Sequence, residues 1–272
     1  MPGESTASKS RTRVRLHAKL RQILKRAYQE QIIDRNPCDA IEGISRPEVS
    51  PEKRKVKRIT KADAQKFAHK LREEPKTGKT VAVWLALATG MRRGEVLALT
   101  WGAVDLKAGK LSVRSQYGKE HRSKATKTEK SRRTIAIDPV TLAYLAEWKG
   151  QQEDELAKKS VKVDDETPVC SNRDGGHLEP DTFSRWRRSF YVKHGMGHFE
   201  DPEHKKGFVG PDLHELRHAQ ATMLVAAGMD PKTVQERLGH ARISTTLEIY
   251  AEAEREKDQE AARQIGQLLG RP

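Results

Sequence analysis

The amino-acid sequence predicts a mainly α-helical protein with one small antiparallel β-sheet, the sheet lying in a larger α+β domain that follows a partial helical domain. Three observations predict this. Apolar residues recur at three- and four-residue steps through most of the chain. One stretch, 104–137, switches to short alternating runs between glycine and charged turns. A third stretch, 46–58, holds two prolines and the run Lys53-Arg54-Lys55-Val56-Lys57-Arg58, has no period, and reads as a linker. The residues before it are too few for an independent core, so the division falls at 1–52 for a partial helical domain with linker and 53–272 for the larger domain.

Residues 1–10, rich in Ser, Gly, Pro and Lys, read as disordered. Val14, Leu16, Leu20, Ile23, Leu24 and Ala27 then mark one apolar stripe on a basic helix running to about Gln31, closed by Asn36-Pro37. Past the linker, Thr60 with Asp63 three residues on opens a helix that Glu73-Glu74-Pro75 ends. A nearly uncharged helix over 79–88 belongs in the core. Strands are expected over 110–115 and 133–137. Asp138-Pro139 then starts a helix, aspartate as cap and proline at the first helical position, with Leu142, Leu145 and Trp148 on one side. The stripe Phe183, Trp186, Phe190 marks another helix, and the glycine-rich segment 193–210, with His194, His198 and His204, reads as a loop. From Pro211 onward come three or four helices. One carries Leu216, Ala219 and Met223; Asp230-Pro231 opens a short one closed by Gly239; Ser244 or Thr245 caps the next; and 251–269, with Ile265, Leu268 and Leu269, forms a charged tail helix.

The formal charge is +14, from 52 basic and 38 acidic side chains. Two blocks, 1–60 and 107–133, carry +8 each, and the remainder sums to about −2. That distribution points to phosphate-facing surfaces. The longest uncharged run, 80–91, falls well short of the roughly 20 residues a membrane span needs, and no apolar signal region opens the chain. Cys38 and Cys170 form neither a C-x-x-C pair nor a disulfide framework, which favours a reducing compartment, so the expected location is the cytoplasm or its nucleoid.

Three segments carry chemistry. In Thr89-Gly90-Met91-Arg92-Arg93-Gly94-Glu95 a buried helix ends at a glycine and the chain turns to aim an arginine off rigid scaffold. In His214-Glu215-Leu216-Arg217-His218 the helical spacing of three sets His214 and Arg217 on one face. Leu238-Gly239-His240 is followed ten residues on by Tyr250. Each piece alone has an ordinary reading: a surface salt bridge, a packed histidine, a half-buried tyrosine. His214 and His218 have zinc-site spacing, but an arginine on the same helix would repel a cation. Together, two arginines, two histidines and a tyrosine without clustered carboxylates suit phosphodiester chemistry that needs no metal. Guanidinium groups can bind the non-bridging oxygens and stabilise a pentavalent transition state, while a phenol can attack phosphorus.

In these motifs the sequence resembles the tyrosine recombinase, or phage integrase, family over 53–255. The resemblance implies a site-specific DNA recombinase acting through a covalent 3′-phosphotyrosine, with no metal, nucleotide or other cofactor. It implies Arg92 and Arg217 as phosphate clamp, His214 and His240 as hydrogen-bonding and proton-handling groups, and Tyr250 as nucleophile. A general-acid lysine is expected on a hairpin between the first two boxes; Lys127 is the choice, with Lys124 and Lys130 as competitors. Lys53, Arg54, Lys55, Arg93, Lys124, Lys130 and Arg132 are expected DNA contacts. The implied partners are double-stranded DNA bearing specific recombination sites and three further copies in a homotetramer on that DNA, with no membrane; the tail helix either docks on the neighbouring copy or packs on its own subunit, and accessory DNA-bending proteins remain unassigned. By the same resemblance 11–45 is the last helix and exit of a core-binding domain whose first helices are missing, and 193–210 is longer than the family leads one to expect. Two alternatives stand: a monomeric type IB topoisomerase-like activity, and a DNA-binding remnant that cannot recombine.

Overall fold

The computed structural model of the chain describes residues 5–40, 59–118, 123–125 and 132–270, with the backbone alone for 5–12, 15, 123–125, 252, 256, 257 and 260. It divides into two units, Met1–Lys55 and Val56–Pro272. In the first, helix α1 (Ser5–Gln29) starts well before Val14, so the polar residues after position 4 extend the helix where disorder was expected. A short 3-10 turn (Pro37–Ala40) doubles back onto it. Arg21 pairs with Asp39 at 2.7 Å and Asn36 donates to the Arg21 carbonyl, which buries Cys38 in the bend.

In the second unit the helix ends follow local chemistry. Thr60 and Asp63 form a reciprocal cap on α2 (Lys61–Glu73), and Thr77 and Thr80 do the same for α3 (Gly78–Thr89). Helix α3 is apolar all round and runs through the core, as its sequence requires. The segment after it forms a short helix α4 (Arg93–Ala98), where the sequence suggested only a turn. Strands β1 (Val104–Asp105) and β2 (Lys110–Val113) and the later β5 (Arg133–Ala136) form an antiparallel sheet in the order β1-β2-β5, Leu111 facing Ile135. Between β2 and β5, β3 (Ser115–Tyr117) pairs with β4 (Ser123–Ala125) as a separate hairpin packed on α4.

Helix α5 (Pro139–Ala157), capped by Asp138, and α6 (Pro180–Lys193), with Phe183 and Phe190 buried, complete the main core. The buried tryptophans there are satisfied: Trp84 Nε1 donates to Thr141, Trp101 Nε1 to Gln152 and Trp148 Nε1 to the Val169 carbonyl. The segment expected as a loop contains a two-stranded hairpin, β6 (His198–Asp201) with β7 (Lys206–Val209), in which Phe199 faces Phe208. Arg187, buried between the rings of Tyr191 and Phe208, donates to the Pro211 carbonyl at 2.6 Å and pins the base of this hairpin. Helices α7 (Leu213–Ala226), α8 (Pro231–Leu238) and α9 (Ile243–Leu268) follow, with a small second core of Ala221, Val225, Val234, Leu238, Ile249 and Ala253. Helix α9 is one continuous helix, not a tyrosine helix plus a separate tail; neither Ser244 nor Thr245 caps it, Arg242 standing at that position. No helix among the described residues is long and apolar enough to cross a membrane.

Candidate active site

Gly90 closes α3 in the left-handed conformation at φ +65°, and a Cβ there would lie 2.2 Å from Gln220 Oε1 and 2.6 Å from Leu238 Cδ2. Only glycine fits. The turn it makes brings Arg92 to the start of α4, where Glu95 accepts the Arg92 backbone N–H at 2.9 Å and its Nη1 at 2.8 Å. Arg92 Nη2 donates to the Gly239 carbonyl at 2.8 Å. Its side chain keeps 40% exposure, so this arginine stays open to solvent.

Arg217, on the second turn of α7, is 2% exposed. Its Nη1 donates to the Gly90 carbonyl at 2.7 Å and its Nη2 to the Leu238 carbonyl, so the glycine that ends α3 also anchors this arginine. Burial, reinforced by the charge of Arg92, pushes the guanidinium down to about 9, which leaves it protonated at neutral pH. His214 lies one turn earlier, exposed, on a helix start that Asp212 caps by accepting the N–H groups of His214 and Glu215. His240 follows the left-handed Gly239 at the end of α8, its Nδ1 at 2.9 Å from Thr246 Oγ1. Burial first, then the charges of Arg217 and Arg92, push its imidazole down to about 4. A neutral imidazole therefore stands beside two guanidiniums, with His214 among its electrostatic neighbours.

Tyr250 lies elsewhere. Its hydroxyl donates to the Met229 carbonyl, and burial followed by the Asp230 carboxylate pushes the phenol above its ordinary value of 10.0. Met229 and Asp230 precede α8, whereas the arginines sit on carbonyls at its other end. Eight residues of helix separate the two, about 12 Å at 1.5 Å per residue. The structure thus brings Arg92, Arg217, His240 and His214 together and leaves Tyr250 one helix length away.

Of the expected DNA contacts, Arg93 is exposed and donates to Ser184 Oγ at 2.8 Å, and Arg132 is exposed just before β5. Lys124 lies on β4 opposite Gln116, its backbone alone being described. Lys53, Arg54, Lys55, Lys127 and Lys130 lie outside the described residues.

Sequence reading gave no role to two residues at the centre of this site. Glu95, 3% exposed, takes Arg92 on one side and Arg133 on the other, the latter through Nη1 at 3.2 Å and Nη2 at 2.8 Å. Although burial pushes its carboxyl up, Arg133 and Arg92 outweigh that and hold it below the ordinary 4.5. Its signal was available: opposite charges three apart, followed by the apolar Val96 and Leu97. Arg133 shows no signal in the sequence for Glu95 or Arg237, which lie 38 and 104 residues away.

The Phage integrase family matches residues 57–257. Among curated proteins the chain is 26% identical to the ICEBs1 integrase of Bacillus subtilis, covering 92% of this chain and 64% of that one. It is 28% identical to a XerC-like tyrosine recombinase of Caldanaerobacter subterraneus, covering 89% and 62%. It is 27% identical to an integrase of Mycobacterium phage D29, covering 92% and 61%. The chain therefore spans a little over three fifths of the length of these relatives. In fold it is similar to the Tn1549 transposon integrase solved with circular intermediate DNA, at TM-score 0.65 and 20% identity over 90% of this chain and 77% of that one. It is also similar to the XerH site-specific recombinase, at TM-score 0.56 and 22% identity over 83% and 57%. The boxes that place Arg92, Arg217 and His240 on one helix end all fall within the matched stretch, and the chain belongs to the phage integrase family.

Proposed function

We propose that the chain is a site-specific DNA recombinase that cleaves and rejoins strands through a 3′-phosphotyrosine at Tyr250. The observation that carries this reading is the pairing of Arg92 and Arg217 on adjacent carbonyls at the end of α8, beside a neutral His240. Two fixed guanidiniums match the two non-bridging oxygens of a phosphodiester and stabilise the charge that grows as phosphorus becomes pentavalent. In cleavage the Tyr250 oxygen bonds to phosphorus and the bond to the 5′-oxygen breaks. A phenol held above its ordinary pKa is protonated at neutral pH, so its proton passes to the neutral imidazole of His240, with His214 as the other hydrogen-bonding group beside it. The departing 5′-oxygen takes a proton from Lys127. Joining is the reverse, and the phosphotyrosine preserves the bond energy between the two steps.

Tyr250 must leave the Met229 carbonyl for this attack, so the N-terminal turns of α9 move when DNA binds. Backbone contacts to duplex DNA fall to Lys53, Arg54, Lys55, Arg93, Lys124, Lys130 and Arg132. The far end of α9 exposes Ile265, Leu268 and Leu269, apolar surface suited to docking on the next copy in a homotetramer. The test is incubation with duplex DNA from the region flanking the chain's own gene, in EDTA, followed by denaturing separation. A covalent protein–DNA adduct is expected; cleavage lost in EDTA and restored by magnesium would overturn the mechanism.

A further inference from the structure

Three consecutive carbonyls end α8, and each accepts from a different arginine: Arg237 O from Arg133 Nε at 2.8 Å, Leu238 O from Arg217 Nη2, and Gly239 O from Arg92 Nη2 at 2.8 Å. Carbonyls of a last helical turn lack partners within the helix and carry the negative end of its dipole, so a helix end of this kind seats cations side by side. Two of the three arginines form the clamp of the strand-transfer reading, and a role for the third rests on that reading. The third is built in just as closely. A Cβ at Gly239, already at φ +65°, would lie 2.9 Å from Arg133 Nη1 and 3.1 Å from Arg133 Cδ, so the glycine of the third box leaves the room that Arg133 fills.

Arg133 differs from Arg92 in where it faces. Its side chain is 6% exposed against 40% for Arg92, and it turns inward onto Glu95, one Nη on each carboxylate oxygen. The Arg92 guanidinium reaches the same carboxylate through Nη1 alone, the Arg92 backbone N–H taking the other oxygen. A carboxylate facing a single arginine favours the two-point fork, which would draw the second nitrogen of Arg92 inward. We infer that Arg133 is a positioning residue for strand transfer: by occupying Glu95 it holds the Arg92 guanidinium to a one-point pair with that carboxylate and keeps the exposed Arg92 side chain available to phosphate. Arg133 also opens β5, six residues after Lys127 in the sequence.

The experiment measures single-turnover cleavage of a duplex carrying the site mapped by covalent trapping, for the unchanged protein and for Arg133→Lys, Arg133→Gln and Arg92→Ala. Each is run also on a duplex whose scissile phosphate is a methylphosphonate, which lacks the charge the clamp neutralises. DNA affinity and cooperative thermal unfolding are recorded alongside. Arg133→Lys is expected to slow cleavage about 10-fold and Arg133→Gln on the order of 10²-fold, the cost of a clamp misplaced by about an ångström, with affinity unchanged within about twofold. On the methylphosphonate both deficits should shrink together with that of Arg92→Ala, because the charge that Arg92 serves is gone. A deficit that persists there while that of Arg92→Ala shrinks assigns Arg133 to the scaffold and overturns the inference. So do unaltered rates, a loss explained by DNA affinity, or failure of both Arg133 variants to unfold cooperatively. If the unchanged protein forms no adduct, the strand-transfer reading itself fails, and the assignment of Arg133 falls with it.

Discussion

Replacing Glu95 with Gln removes one negative charge from the most enclosed part of the site. The carboxylate is 3% exposed and accepts four hydrogen bonds: from Arg92 N at 2.9 Å, Arg92 Nη1 at 2.8 Å, and Arg133 Nη1 and Nη2 at 3.2 and 2.8 Å. An amide offers one acceptor oxygen and turns two donors toward guanidiniums that are themselves only donors. Removing one partner of a buried ion pair costs about 3–5 kcal/mol, since the cation left behind stays desolvated. In a unit the size of Val56–Pro272, 1 kcal/mol moves Tm by about 2–4 °C, so the fall should be about 6–20 °C. The pH dependence follows from the carboxyl being held below 4.5 in the folded chain. The unfolded chain binds that proton more readily, so stability from Glu95 is present in full above about pH 4.5 and is lost as pH falls below it. Thermal unfolding followed by circular dichroism should show a constant gap between the two proteins from pH 8 to about 5 and a shrinking gap toward pH 3. A gap under about 2 °C at pH 7, or one of the same size at pH 3, rules out this role for the carboxylate.

Gly90→Ala forces a Cβ to within 2.2 Å of Gln220 Oε1 on a residue at φ +65°, so urea unfolding should show a loss exceeding the ~1–2 kcal/mol of the left-handed conformation alone; an unchanged midpoint contradicts the packing described. Lys127→Ala should cleave ordinary DNA on the order of 10²- to 10⁴-fold more slowly yet recover much of its rate when the departing 5′-oxygen is replaced by sulfur, which leaves without a proton. Arg92→Ala, lacking charge stabilisation instead, should recover far less, and equal recovery refutes that division of roles. Rescue of Lys130→Ala with normal cleavage by Lys127→Ala would move the general acid to Lys130.

What the sequence made legible is what local chemistry decides. Thr60 with Asp63, Asp138-Pro139, and Asp230-Pro231 closed by Gly239 bound their helices as read, because a cap is settled within four residues. The hairpin of β6 and β7 was hidden because charged residues and Gly207 interrupt the alternation, and Phe199 gains its partner only once the strands meet. Helix α4 is too short to show a period, and α9 runs on unbroken past Tyr250, where the sequence reads a separate tail helix from 251, because no breaking residue stands there. In the site, the three motifs and the family they resemble marked Arg92, His214, Arg217, His240 and Tyr250. They carried nothing about the three carbonyls of α8 that align the arginines, nor about Met229 holding the tyrosine, since both are contacts between segments far apart in the chain.

The proposed chemistry stands or falls on Tyr250 becoming covalently joined to DNA. The adduct trapped in EDTA would be purified, digested with nuclease and protease, and its peptides examined by mass spectrometry for a nucleotide remnant, with Tyr250→Phe carried through in parallel. The remnant is expected on the peptide containing Tyr250, with no adduct from Tyr250→Phe although that variant still binds DNA. A remnant on another tyrosine, such as the fully buried Tyr191, or an adduct that survives Tyr250→Phe, would overturn the assignment.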